Sequence, residues 1–458
     1  MSIKFINKFV DLLVTNKDFY KKYFTYSIPV LVATLLSSIL DMIEAIILSR
    51  AEPAYIATLN VTSPFFLMTT LIFSSFHVTA TALISQYYGE NNIEKAKKTA
   101  GFLIVISNIF VLTVVTIILL NLNKIVNVLV DKENIQYYAK DYLTIKFIGL
   151  IFFFNTNLIN TIFRSFLEFY KPFYIMISTV IVNFILDILF IFGYCGFPKM
   201  GIRGAAWGYS LSFAPCAGIL YILLFTDRNR KPLFSNIVQF GRVITKKVLK
   251  ILLPALVEPL VIQSAYLLFS AYINRLPLVQ ITAHRIAIYI ESITFIPGFT
   301  LSQIIQPIAG YYLGKKDIKG LKKMVILINI LIFSFMTTLG ILFFIFPSVF
   351  SNIFTSNREI HKFSNVCIQI AFFEQPFLAI TFVYLNFMRG LGLNKLTLLV
   401  SASGVWLVRI PVTYLFIFVL NLDIRYIWFL TIFDWLIRSL LFTLIYNTKS
   451  FYSNLLKN

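Results

Sequence analysis

The chain has 458 residues, of which 58% are hydrophobic and only 13% charged, and its mean hydropathy is +0.81. A soluble domain carries roughly 25% charged residues, so the composition excludes a water-soluble protein. The formal net charge of +20 does not mark a nucleic-acid binder, because the basic residues sit in short segments between apolar runs rather than on one patch.

In chain order, residues 1–23 read as an amphipathic, lysine-bearing arm expected to lie along the inner membrane surface. A spanning helix needs about 20 mostly apolar residues. Twelve stretches qualify: 26–49, 62–86, 100–121, 142–165, 173–193, 204–225, 250–273, 286–311, 324–346, 363–387, 396–420 and 426–446. This predicts an all-α integral membrane protein with an amino-terminal lobe (1–225), a linker (226–249) and a carboxy-terminal lobe (250–458). With the N-terminus inside, the inner segments carry 26 of the 40 Lys and Arg and the outer segments 10. The positive-inside rule then places both termini and the linker in the cytoplasm, with the protein in the cell membrane.

The two halves share landmarks 225 residues apart: Pro29 and Pro254, Arg50 and Arg275, Tyr87 and Tyr312, Gly89 and Gly314, Arg164 and Arg389. No gap is needed between the first and last of these. Six spans per half make the repeats parallel, and a duplicated apolar unit is the usual design of a secondary transporter.

Seven acids fall inside the spans: Asp41, Glu44, Asp187, Glu258, Glu291, Glu374 and Asp434. Each costs roughly 2.5–3.5 kcal/mol at a helix centre on the insertion scale. Four bases are counted with the spans, Lys146, Arg409, Arg438 and, one residue before the eighth, Arg285; Arg164 and Lys250, at span ends, are counted with the inner segments. Pairing explains Asp434 with Arg438, four apart on one helix, and Glu291 near Arg285. The first half holds three acids and one base. Asp41 and Glu44 share a face of the first span, and Asn183 and Asp187 share a face of the fifth. Such a cluster holds a proton or binds a cation through oxygen ligands. The three cysteines are scattered, with neither disulfide nor metal spacing.

The chain resembles the multidrug and toxic compound extrusion (MATE) transporters of the MOP flippase superfamily, prokaryotic type. The likeness rests on Gln86-Tyr-Tyr-Gly89, Arg164 with Lys171-Pro172, Asn183 with Asp187, Leu253-Pro-Ala with Glu258, Pro297-Gly298, Gln375-Pro376, Arg389-Gly-Leu-Gly392, Arg409 with Pro411, and Asp434 with Arg438. The resemblance implies twelve helices in two lobes around a V-shaped cleft, and export driven by an inward H⁺ or Na⁺ gradient. It implies a cation site at Glu44, Asn183 and Asp187, to which Asp41, one turn before Glu44, is added by this sequence. Leu40 and Ala205 stand where the family has a tyrosine and a threonine, which favours H⁺ over Na⁺. It also implies a polar cluster of Glu258, Arg409 and Asp434 in the second lobe, to which Glu374 is added as a further intramembrane acid.

The expected function is therefore secondary active export of organic, cationic compounds. No catalytic residue, metal or cofactor is expected. The partners are small organic substrates and membrane lipids, not nucleic acid, and the unit is a monomer. A flippase for a lipid-linked glycan or other amphiphile is the alternative within the superfamily. A polytopic enzyme or an ion channel is the alternative of another class. Only His77, His284 and His361 are available to an enzyme, without HExxH spacing, and no P-loop is present.

Overall fold

A computed structural model describes residues 17–130, 133–235 and 237–448, with 451 and 455. The amphipathic arm up to residue 16 lies outside the described residues. Among the described residues, twelve helices are long and apolar enough to cross a membrane: Phe19–Leu48, Ala57–Gly89, Ile93–Leu120, Ile135–Ser165, Tyr170–Phe192, Ile202–Thr226, Val238–Ile273, Leu278–Gly314, Ile318–Ile345, Arg358–Gly390, Asn394–Val419 and Ile424–Asn447. They correspond one for one to the expected spans but extend further. Hydropathy stops at the first charges, whereas Lys and Arg are good helix formers and carry the helices past the hydrocarbon layer. The expected linker shortens accordingly, because a helix already begins at Ile237 and runs to Ile273.

The repeat is written into the turns as well as the spans. Asn91 and Lys316 both adopt left-handed backbone, with φ of 58° and 57°, and Leu167 and Gly392 do so with φ of 58° and 74°. Each pair is again 225 apart. The helix after the first of these turns is capped by Asn92, which accepts from the Lys95 amide, and its counterpart by Asp317, which accepts from the Gly320 amide. A side-chain oxygen at that position satisfies an otherwise orphaned helix N–H.

One buried cluster runs from Leu48 to Leu224 and is extended by Ile244, Val248, Ile251 and Leu252 of the seventh helix. A second joins the eighth, ninth, tenth and twelfth spans. Tyr23 and Val30 of the first span belong to this second cluster, and the Tyr23 hydroxyl donates to the Leu301 carbonyl at 2.6 Å. The first span thus starts against the second half and continues against the fifth span of its own half. Pro29 lies inside this continuous helix, where a missing N–H favours a bend.

Candidate coupling clusters and substrate cleft

In the first half, Asn183 and Asp187 lie one turn apart on the fifth span. The Asn183 amide donates to both carboxylate oxygens of Asp187, at 3.1 and 3.0 Å. Asp187 is buried, and it fits because Gly208 of the sixth span leaves room: a β-carbon there would meet the carboxylate. The charges of Glu44, Asp187 and Lys146 all act on the hydroxyl of Tyr142. First, fourth and fifth spans therefore converge on one group of ionisable side chains. The side chain of Asp41 lies outside the described residues. Leu40 is half-buried and Ala205 fully buried, and neither offers an oxygen ligand.

Lys146 is the member that the sequence reading left without a role. It is buried, with its ammonium 3.9 Å from the Tyr209 ring centre and 5.5 and 5.7 Å from those of Tyr142 and Phe66. An aromatic cage of this kind stabilises a desolvated cation through the ring quadrupoles. The signal was present in the sequence as a lysine in an apolar run, one helical turn after Tyr142.

In the second half, Asp434 is fully buried and held from two sides. The Arg438 guanidinium binds it through two hydrogen bonds of 2.6 and 2.7 Å. Arg409 Nε lies 2.7 Å from Asp434 Oδ2, an ion pair by distance without hydrogen-bond alignment of that N–H. Arg409 ends a π-helical turn, Ser403–Arg409; such turns widen a helix and often mark functional positions. Its guanidinium also faces the rings of Tyr266, Phe269 and Trp435 at 5.5 to 5.7 Å.

Glu374 accepts from the Thr431 hydroxyl at 2.7 Å and lines a cavity together with Glu291. Glu291, expected near Arg285, shares this cavity wall with both Arg285 and a second carboxyl group. Both act electrostatically on Arg409. With His284 and Arg285 they line a cavity of about 630 Å³. Glu258 belongs to neither group. It accepts from Arg389 at 2.9 Å and from Thr397 at 3.1 Å.

A second cavity of about 540 Å³, which shares Tyr266, Phe295 and Trp435 with the first, lies between the halves, walled by the second and fourth spans on one side and the seventh, eighth, tenth and twelfth on the other. Volumes of a few hundred Å³ suit small organic ligands. It closes toward the ends of the second and eighth spans. There Gly89 packs on the Tyr311 main chain and Gly314 on that of Gln86.

Twelve apolar helices in two like sets, with buried ionisable clusters and an enclosed cavity between the sets, define a polytopic membrane transporter. The MatE family profile matches residues 29–189 and again 254–415, the two matches starting 225 residues apart. The chain belongs to the MatE family of MATE transporters, which are not enzymes and need no cofactor. It is 26% identical over 425 residues to a Thermotoga maritima protein named "Probable multidrug resistance protein NorM", covering 92% of this chain and 90% of the relative. It is 22% identical over 431 residues to "Probable multidrug resistance protein YoeA" of Bacillus subtilis, covering 91% and 92%. Its fold matches a mutant of the Vibrio cholerae MATE transporter VcmN with a TM-score of 0.87 at 18% identity, covering 96% of this chain and 100% of the other. An outward-facing multidrug resistance MATE transporter matches equally, with a TM-score of 0.87 at 17% identity over 96% and 97%.

Proposed function

We propose that the protein is a secondary active exporter of organic compounds, an antiporter that takes up protons as it expels substrate. The observation that carries this is the group of Glu44, Asn183, Asp187, Tyr142 and Lys146 in the first half, of which Asp187, Tyr142 and Lys146 are buried and Glu44 and Asn183 half-buried. Ionised intramembrane side chains are costly unless they serve a purpose. With both carboxylates ionised and Lys146 charged, these side chains carry one net negative charge. A single proton cancels it. A sodium ion would need a shell of oxygen ligands in a site where Leu40 and Ala205 supply none and an ammonium group is already present. Relatives named as multidrug resistance proteins support a role in drug efflux.

Coupling requires that protons bind one conformation better than another. The first span supplies the mechanical link, because Tyr23 ties its start to the second half while Glu44 joins the proton site of the first. Neutralising the site removes the charge that resists a drier packing. The span then bends near Pro29 and the cavity between the halves shrinks. In this reading the halves are two lobes of a monomer in the cytoplasmic membrane, surrounded by lipid. Both termini and the linker over residues 226–249 face the cytoplasm.

The test is efflux from proteoliposomes under imposed pH or Na⁺ gradients, with a panel of cationic, neutral and anionic fluorescent compounds. Asp187→Asn should abolish efflux driven by the pH gradient while the protein still inserts and remains monodisperse. Glu44→Gln should do the same. Full transport in both variants would sink the coupling assignment. Cationic compounds are the panel members that the family resemblance favours; the charges that line the cleft favour another class.

A further inference from the structure

The duplication leaves one arginine of the cleft without the carboxylate its twin possesses. Arg389 is bonded to Glu258 at 2.9 Å. Arg164 stands 225 residues earlier, in the equivalent place, but the position equivalent to Glu258 is Ala33. Among the described residues, no carboxylate lies within ion-pair distance of Arg164. The one hydrogen bond found for it is a contact of 3.7 Å to the Met176 sulfur. A guanidinium held in a cavity wall without a carboxylate partner is costly and calls for a counter-charge.

The counter-charge has a place to sit. Arg164 lines the cavity between the halves. One turn earlier on the same helix, Asn160 also lines it, and this side chain is 2% exposed with neither its amide nitrogen nor its oxygen hydrogen-bonded. The Nε2 of His77, on the cavity wall, is likewise unpartnered. Buried polar groups are seldom left so without a ligand or water to satisfy them.

The sign of the cavity is equally informative. Its described charged lining is Arg164, Arg389, Arg438 and a single acid, Glu258. That acid is already occupied by Arg389 and Thr397, and Arg438 is occupied by Asp434. No carboxylate is left to receive an organic cation, whereas Arg164 is left to receive an anion. The remaining wall includes Phe169, Phe295, Phe299 and Trp435, broad rings suited to an apolar body.

We propose that the cavity between the halves binds amphipathic organic anions, with a carboxylate, sulfonate or phosphate held by Arg164 and Asn160 and the apolar part against the aromatic wall. The proposal rests on the exporter reading in taking this cavity for the transport cleft. In effect the substrate supplies to Arg164 what Glu258 supplies to Arg389. A free aromatic acid and the headgroup of an anionic lipid share this chemistry.

The test uses the full chain in phosphatidylcholine nanodiscs and three fluorescent probes with one ring system: dansylglycine, its neutral methyl ester, and cationic dansylcholine. Dansylglycine should bind tightest. Arg164→Gln should weaken it roughly tenfold or more, the worth of a charge-assisted hydrogen bond, and leave the ester unchanged. Arg164→Lys should retain part of the preference. Competition by phosphatidylglycerol that disappears in Arg164→Gln would identify a lipid headgroup as an occupant. No competition would assign the site to free compounds. Dansylcholine binding as tightly as dansylglycine, or an unchanged order of affinities in Arg164→Gln, would overturn the proposal. Should Arg164→Gln fail to fold, the ranking of the three probes on the wild-type protein still decides. Proton-driven efflux of a cationic dye without dansylglycine binding would remove this inference and leave the exporter standing. Dansylglycine binding without efflux under any gradient would do the reverse.

Discussion

Gly89 and Gly314 occupy equivalent positions in the two halves, and each packs against the main chain of the helix that carries the other. Gly89 meets Tyr311, and Gly314 meets Gln86. A β-carbon at either site would collide with a carbonyl oxygen, which cannot move aside without moving its helix. The reciprocal contact seals one end of the cavity, and only glycine permits it.

Gly89→Val should therefore loosen that seal. With the native cysteines replaced, a reporter cysteine at Ser85, buried beside Gly310, should be alkylated about tenfold faster in the Gly89→Val background, in line with the 1–3 kcal/mol typical of overpacking. Equal rates would show that the two glycines do not govern access.

The proposed proton coupling assigns to Lys146 the choice of coupling ion. The wild-type protein should show no change in melting temperature on exchange of K⁺ for Na⁺. Lys146→Gln removes the resident cation, and the site should then bind Na⁺, with stabilisation of about 2.7 kcal/mol at a hundredfold excess over Kd. Lys146→Arg should behave as wild type. A Na⁺-dependent melting shift already present in the wild type would refute this role.

Asp434 holds two guanidinium groups inside the bundle. Asp434→Asn strands both and should cost about 3–5 kcal/mol, the penalty for breaking a buried ion pair, visible as a lower melting temperature. Arg438→Gln in the same background should recover part of the loss. Additive losses in the double variant would mean that the pair is not coupled.

Outside the membrane, the Arg425 side chain donates to Asp423 and holds its carboxyl below the ordinary value of 3.8. Asp423 also caps the last span by accepting from the Arg425 amide at 2.9 Å. A depressed carboxyl stabilises the fold above its unfolded value, and that contribution fades as pH falls through the folded one. Amide exchange at Arg425 and Tyr426, corrected for intrinsic rate, should rise on acidification below pH 3.8. Asp423→Asn, which cannot titrate, should show no such rise.

Much of the architecture was legible in the sequence because membrane insertion is governed by local composition. Twelve apolar runs mark twelve spans, since a helix in lipid must satisfy its own backbone. The offset of 225 located the repeat because Pro, Gly and Arg stand at points where the backbone or the bilayer tolerates little else. The pairing of Asp434 with Arg438 was legible for the same local reason, being one turn of one helix. The ends of the helices were not, because charged residues end a hydropathy run without ending a helix.

The sequence by itself determined a duplicated twelve-span membrane protein with carboxylates too costly to be idle, because hydropathy, helical spacing and repeat offset are properties of neighbours along the chain. Only the tertiary structure decided which charges meet. It put Lys146 in its aromatic cage in the same group as Glu44 and Asp187, set Glu291 and Glu374 on one cavity wall, and gave Glu258 to Arg389 while leaving Arg164 with no carboxylate at ion-pair distance among the described residues. Those partnerships cross between helices far apart in sequence. In a medium with little water to screen charge, the partnerships between helices, more than the spacing within them, set the work each ionisable group can do.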